Sequence, residues 1–132
     1  MDTTHSFISK MIEEIPTLND VYVHHIKHTG EPLLPHMFFG DLTRYVVNLF
    51  YNIKNEDIGN SENKEFVELI QILDYLEKGI LCGDDLVEEL IKVSFLENID
   101  YDDGKINPLL NMMSDYMQKW WRITHGLENF MA

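Results

Sequence analysis

The sequence predicts an all-α domain of five or six helices. Apolar residues recur at the three- and four-residue spacing of an amphipathic helix, most clearly from Phe66 to Ile80. Strand signals are weak, because β-branched residues never alternate with polar ones over a useful length. The one Asp-Gly pair, Asp103-Gly104, lies between two helical patterns instead of joining two strands.

Caps, prolines and glycines set the predicted helix ends. Asn107-Pro108 begins the last helix as one long element, which Gly126 stops. The predicted helices cover about 4 or 6 to 14, 19 or 20 to 28, 35 or 41 to 53, 62 to 80, 84 to 95, and 107 to 125.

The third helix has two predicted starts. Pro35 suits a first turn, but the helix then contains Gly40, which costs about 1 kcal/mol relative to alanine. The helix therefore begins at Asp41, with Asp41 as its cap, or another backbone crosses closely at Gly40.

A short turn at Cys82-Gly83 makes the fourth and fifth helices a predicted antiparallel hairpin. The inward face of the fifth helix is predicted to hold Leu86, Leu90, Ile91, Ser94 and Phe95. We expect one domain, residues 1–132, built as an orthogonal or antiparallel bundle or from HEAT-like helical hairpins.

The composition narrows the class of protein. The single cysteine, Cys82, excludes an intramolecular disulfide, and no stretch reaches the roughly 18 apolar residues of a membrane span. Residues 1–10 lack a basic start followed by an apolar run, so we expect a cytoplasmic protein. The net charge of -13 disfavours nucleic acid, because phosphate contacts need a basic footprint.

The acidity is local. Residues 54–104 carry 15 acidic and 4 basic side chains, a formal charge of -11. Like charges along adjoining helices repel, and a basic protein partner would relieve that repulsion, although an acidic face also serves solubility alone. The predicted partner-binding carboxylates are Glu65, Glu68, Asp84, Asp85, Glu88 and Glu89.

A second polar group interrupts the apolar run from Leu33 to Ile53. His36, Asp41 and Arg44 form a possible polar site, with Asp41 and Arg44 able to pair across one helical turn. No nucleophile or phosphate loop lies nearby in sequence, so a cap plus a structural ion pair is the favoured interpretation.

Two further groups are candidate sites. His24, His25 and His28 lack the third and fourth ligands of a zinc site, so we predict no metal and no cofactor. Trp120 and Trp121 point about 100° apart on a helix, so one packs inward. We assign Trp121 to the surface, as a partner-binding residue.

Two segments carry a family resemblance. They are the Leu34-Pro35-His36-Met37-Phe38-Phe39-Gly40-Asp41-Leu42-Thr43-Arg44-Tyr45 stretch and the Val93-Ser94-Phe95-Leu96-Glu97-Asn98 stretch. In these the chain resembles a family of small acidic all-helical bacterial proteins of unknown function. That resemblance implies a folded bacterial domain and leaves the activity open. In size, charge and helicity the chain is also similar to immunity proteins that neutralise toxins exchanged between bacteria.

These observations predict a binding protein and not an enzyme. The leading hypothesis is an immunity-type inhibitor that occludes a basic toxin or effector with its acidic hairpin. The alternatives are a helical adaptor that binds through aromatic surface, and a small enzyme centred on His36, Asp41 and Arg44.

Overall fold

The computed structural model describes residues 3–30 and 33–128, and within these ranges the chain is helical and contains no strand. The all-α prediction is confirmed. The described residues form the α-helices α1 (Thr3–Glu14), α2 (Asn19–Thr29), α3 (Pro35–Tyr51), α4 (Lys64–Ile80), α5 (Asp85–Ile91), α6 (Asn107–Met112) and α7 (Asp115–Thr124). A π-helical turn, Lys92–Leu96, extends α5, and 3-10 turns lie at Pro16–Leu18, Asn55–Asp57 and Asp102–Gly104.

The predicted single last helix is wrong, because the chain breaks between α6 and α7. Met113 is extended, with ψ 157°, and the Ser114 side chain accepts a hydrogen bond from the Met117 N–H at 3.2 Å. A serine cap followed by Asp115 starts a new helix and places a carboxylate at its positive end. The described part of the chain therefore has seven helices and not five or six.

The start of α3 also differs from both explanations offered for Gly40. The helix begins at Pro35 and passes through Gly40, so Asp41 is not its cap. A Cβ atom at Gly40 would meet only the Arg44 guanidinium, at 3.9 Å, so no backbone crosses there. Pro35 in the first turn supplies the helix start, since its missing N–H has no intrahelical partner to lose.

Close packing requires a glycine at position 79 instead. A Cβ atom there would lie 2.5 Å from the Phe7 ring and 2.9 Å from Ile91 Cδ1. Gly79 is buried in the last turn of α4, where α1 and α5 both approach. This glycine lets three helices meet.

The core is gathered around α3, which packs against α1, α2, α4, α5 and the π-helical turn. Phe38, Phe39, Leu42 and Val46 of α3 are fully buried in it. The burial of α5 differs from the prediction at one position. Val87 is buried beside Leu90 and Ile91, whereas the side chain of Leu86 is 56% exposed.

Replacing Gly79 with alanine tests the three-helix contact. We expect Gly79→Ala to lower the free energy of unfolding by about 1–3 kcal/mol, because the new methyl group overlaps Phe7 and Ile91. Gly40→Ala is the matched control, and should raise stability by about 0.5–1 kcal/mol in an interior helical position with space. Urea denaturation followed by circular dichroism measures both. Equal effects of the two substitutions would contradict this account.

Candidate partner-binding site

The structure divides the six predicted partner-binding carboxylates by their contacts. Asp84 caps α5, and its Oδ1 accepts from the N–H groups of Leu86 and Val87, each at 3.0 Å. Glu68 accepts from the hydroxyl of Tyr45, and from that of Thr17 at 3.0 Å. Both carboxylates therefore accept hydrogen bonds within the protein, Asp84 from the α5 backbone and Glu68 from two hydroxyls.

The six carboxylates do not form one continuous face on α4 and α5. Glu65 is exposed in the first turn of α4, about 22 Å along the helix from the link to α5 at 1.5 Å per residue. Glu68 contacts Thr17 beyond one end of α1, whereas Asp84 contacts Thr3 at the other end, at 3.3 Å. The carboxylates near Glu65 and those on α5 are therefore two separate groups.

The α5 group is the one with free carboxylates. Asp85 and Glu89 are exposed, Glu88 is half-buried, and none of the three has a side-chain hydrogen bond among the described residues. Lys92 stands four and three positions after Glu88 and Glu89, where an ion pair could form. Its ammonium instead lies 3.7 Å from the centre of the Trp120 ring. The nearest cation along the helix thus interacts with an aromatic face and leaves both glutamates unpaired.

The other carboxylates of residues 54–104 also lack ion pairs with lysine or arginine among the described residues. Among the described residues, the Lys/Arg ion pairs are Arg44 with Asp41 and Arg122 with Glu128, and both lie outside residues 54–104. The carboxylates of 54–104 that the structure describes therefore have no lysine or arginine partner. No lysine or arginine ion pair among the described residues offsets their repulsion, which solvent and salt screen.

Trp121 is not a surface residue, so its assignment to the partner-binding set is wrong. Its side chain is 3% exposed, and the indole N–H donates to the Ile99 carbonyl at 2.8 Å. His125 packs edge-on against the ring, at 4.4 Å between centres. Trp121 follows the buried Met117 by four positions on the same side of α7, whereas Trp120 lies half-buried against Lys92.

Asp41 and Arg44 form the predicted ion pair. Asp41 also contacts His25, a residue that was predicted to belong with His24 and His28 and not with Asp41. The imidazole is fully buried, and its Nδ1 lies 3.1 Å from Asp41 Oδ2. Because Nε2 accepts from the Leu34 N–H, at 3.4 Å, the ring proton is on Nδ1 and is donated to Asp41. This histidine ties α2 to α3 and to the chain before α3. The Arg44 side chain, 71% exposed, adds the outer half of the pair.

His36 does not join Asp41 and Arg44. Its Nδ1 forms a hydrogen bond with the Ser94 hydroxyl in the π-helical turn, on another side of α3. The buried Thr43 hydroxyl lies 2.7 Å from the Phe39 carbonyl oxygen and 3.2 Å from that of Ser94. The possible polar site is therefore two separate contacts that dock α3 onto α2 and onto the π-helical turn.

Two half-buried tyrosines join α4 to its neighbours, Tyr45 from α3 and Tyr75 to α1. Burial, followed by the hydrogen bond to the Glu68 carboxylate, raises the pKa of Tyr45. Burial, followed by the charge of Glu14, raises the pKa of Tyr75 to about 12. Both hydroxyls stay protonated at neutral pH and act as hydrogen-bond donors, to Glu68 and to the Phe7 carbonyl at 3.3 Å.

The other histidines of α2 lie at its exposed end. The His24 and His28 rings stack at 4.1 Å, and His28 Nδ1 lies 2.9 Å from the His24 carbonyl oxygen. In the described ranges, no three His, Cys, Asp or Glu side chains are arranged to hold a metal ion. No helix in these ranges is long and apolar enough to cross a bilayer.

Most of the chain, residues 8–127, matches the family described as a domain of unknown function, DUF7674. The chain belongs to this family. No curated protein and no solved structure matches it significantly. The family match covers both sequence segments that carried the resemblance, and these segments pack against each other through His36, Thr43 and Ser94.

Sequence reasoning missed three parts of this arrangement. The His25–Asp41 contact joins residues 16 positions apart, and no local pattern pairs them. The approach of His36 to Ser94 spans 58 positions. The break at Ser114 did carry a signal, since Ser-Asp before an apolar pattern is a helix start.

Two substitutions distinguish the buried His25–Asp41 contact from the exposed Arg44–Asp41 ion pair. Asp41→Ala should lower the free energy of unfolding by about 1–3 kcal/mol, because the buried Nδ1–H of His25 loses its acceptor. Arg44→Ala should cost less than about 1 kcal/mol, because its pair is solvent-screened. Denaturant titrations of both variants measure the difference. A larger loss for Arg44→Ala than for Asp41→Ala would contradict this account of the two contacts.

Proposed function

We propose that the protein is an immunity-type inhibitor, which binds a basic toxin or effector protein through the acidic surface of its α4–α5 hairpin. The observation that carries the proposal is the absence of any lysine or arginine partner for the described carboxylates of residues 54–104. Lys92, which follows Glu88 and Glu89 at the start of the π-helical turn, lies against the Trp120 ring.

Unpaired like charges on adjoining helices raise the free energy of the unbound fold. A basic partner supplies the missing counter-charges, so its binding removes that repulsion. The same field steers a basic protein toward the hairpin and speeds association at low salt. An inhibitor that must capture a toxin quickly benefits from both effects.

The carboxylates that would contact the partner are Asp85, Glu88 and Glu89 on α5. Glu65 gives a second, separate acidic group at the start of α4. Glu68 and Asp84 support the surface from inside, through the Tyr45 hydrogen bond and the α5 cap.

The alternative hypotheses rest on fewer observations. An enzyme centred on His36, Asp41 and Arg44 requires these groups to act together, yet His36 contacts Ser94 and Asp41 contacts His25. An aromatic adaptor loses Trp121 as its contact residue, because that ring is buried. The acidic surface is the feature that the inhibitor proposal uses and that these alternatives leave without a role.

Capture of the partner, followed by charge reversal on α5, tests the proposal. The tagged chain is used as bait in a lysate of the source organism, and any captured protein is identified and then expressed alone and together with the bait. We expect a basic protein that inhibits growth when expressed alone and not when co-expressed with the wild-type chain.

Asp85→Lys with Glu89→Lys should weaken binding by at least about tenfold and flatten its salt dependence. The control, Glu13→Lys with Glu14→Lys, makes the same change in net charge at the exposed C-terminal end of α1, outside residues 54–104, where lysine is favourable. An acidic or neutral partner, or equal losses in both variants, would contradict the proposal.

A further inference from the structure

The outer surface of α5 combines unpaired carboxylates with exposed aliphatic side chains. Asp85, Leu86, Glu89 and Val93 lie at positions that share one side of the helix and its π-helical extension, and we call this surface the α5 face. The opposite side, with Val87, Leu90 and Ile91, is buried.

The aliphatic part of the α5 face consists of the exposed side chains of Leu86 and Val93. Leu86 is 56% exposed and Val93 is 44% exposed, seven positions apart and therefore on the same side. Glu89 stands between them along the helix, and Asp85 stands at the start. Single exposed aliphatic residues are common, but here two of them align with two unpaired carboxylates on one helix surface.

We propose that the α5 face docks an amphipathic helix of the partner protein, whose apolar residues cover Leu86 and Val93 and whose flanking Lys or Arg side chains pair with Asp85 and Glu89. The inference rests on the proposed function for the presence of a basic partner, and it adds the contact surface and the form of the binding segment.

Charge complementarity favours a cationic helix over a second copy of the chain or a bilayer as the binding partner of the α5 face. A second copy of the chain would bring its own Asp85 and Glu89 against the same face, in a molecule of net charge -13. The anionic surface of a bilayer would be repelled in the same way. A cationic helix matches both parts of the surface, since its apolar side is buried while its basic residues reach the rim.

The cation–π contact of Lys92 fits this arrangement. The Lys92 ammonium lies 3.7 Å from the Trp120 ring centre and forms no ion pair with a described carboxylate. The acidic groups of the face are thereby left for a cation of the partner. The Glu97 side chain, four positions after Val93, is exposed and extends the negative charge beyond the π-helical turn.

A model peptide tests the α5 face directly. The probe is a synthetic two-heptad helix with leucine on one side and lysine on the other, and its control replaces the leucines with alanine. Isothermal titration at several temperatures and salt concentrations gives affinity and the heat-capacity change, which is negative when apolar surface is buried. We expect the leucine peptide to bind more tightly than the alanine peptide, with the larger negative heat-capacity change.

The matched variants remove exposed aliphatic side chains from two places. Leu86→Ser with Val93→Ser should weaken binding of the leucine peptide by about tenfold and shrink the heat-capacity change. Val23→Ser with Leu127→Ser removes two exposed aliphatic side chains elsewhere and should change neither. Circular dichroism and urea titration of each variant check that the fold is intact.

The outcomes separate this inference from the proposed function. If Leu86→Ser with Val93→Ser binds like wild type while Asp85→Lys with Glu89→Lys does not bind, docking on the α5 face is wrong and acidic binding stands. If the peptide results hold but the captured partner is not basic, the proposed function fails, and what stands is that the α5 face binds a cationic amphipathic helix. Sedimentation equilibrium showing a dimer that Leu86→Ser with Val93→Ser dissociates would assign the face to a second copy and overturn the inference.

Discussion

The docking of α3 onto the π-helical turn is the contact on which the arrangement of the acidic surface depends. Inside that turn the Ser94 carbonyl accepts from the Asn98 side chain at 2.8 Å and lies 3.2 Å from the buried Thr43 hydroxyl. A π-helical turn changes the local backbone pairing, and side chains here supply donors to the carbonyl. The junction fixes the end of α5 against α3, so that Phe95 points inward and the α5 face points to solvent.

The acidic surface is then a consequence of how few cations the fold brings near it. Tyr45 and Thr17 hold Glu68, the α5 backbone holds Asp84, and Trp120 holds Lys92. Each contact stabilises the scaffold, and together they leave Asp85, Glu88 and Glu89 without internal partners. The scaffold and the proposed binding surface are thus built from neighbouring residues with opposite roles.

Local signals in the sequence predicted most of the helices, because caps, prolines and apolar spacing act within a few residues. Asn63 caps α4, and Asp84 caps α5 directly after the predicted turn at Cys82-Gly83. Contacts between distant segments, such as His25 with Asp41, depend on how the helices pack and had no local signature. The surface assignment of Trp121 was wrong for a separate reason, because the four-residue spacing from the buried Met117 places Trp121, and not Trp120, on the buried side of α7.

The described carboxylates of residues 54–104, which have no lysine or arginine partner, should repel one another in the free protein, and the salt dependence of thermal unfolding tests this repulsion most directly. At pH 7 the midpoint temperature of the wild-type chain should rise from about 20 mM to about 500 mM NaCl, as the Debye length falls below the spacing of surface charges. The rise should be smaller for Asp85→Lys with Glu89→Lys than for Glu13→Lys with Glu14→Lys. A wild-type midpoint that stays constant or falls with salt, or equal rises in the two variants, would contradict the account.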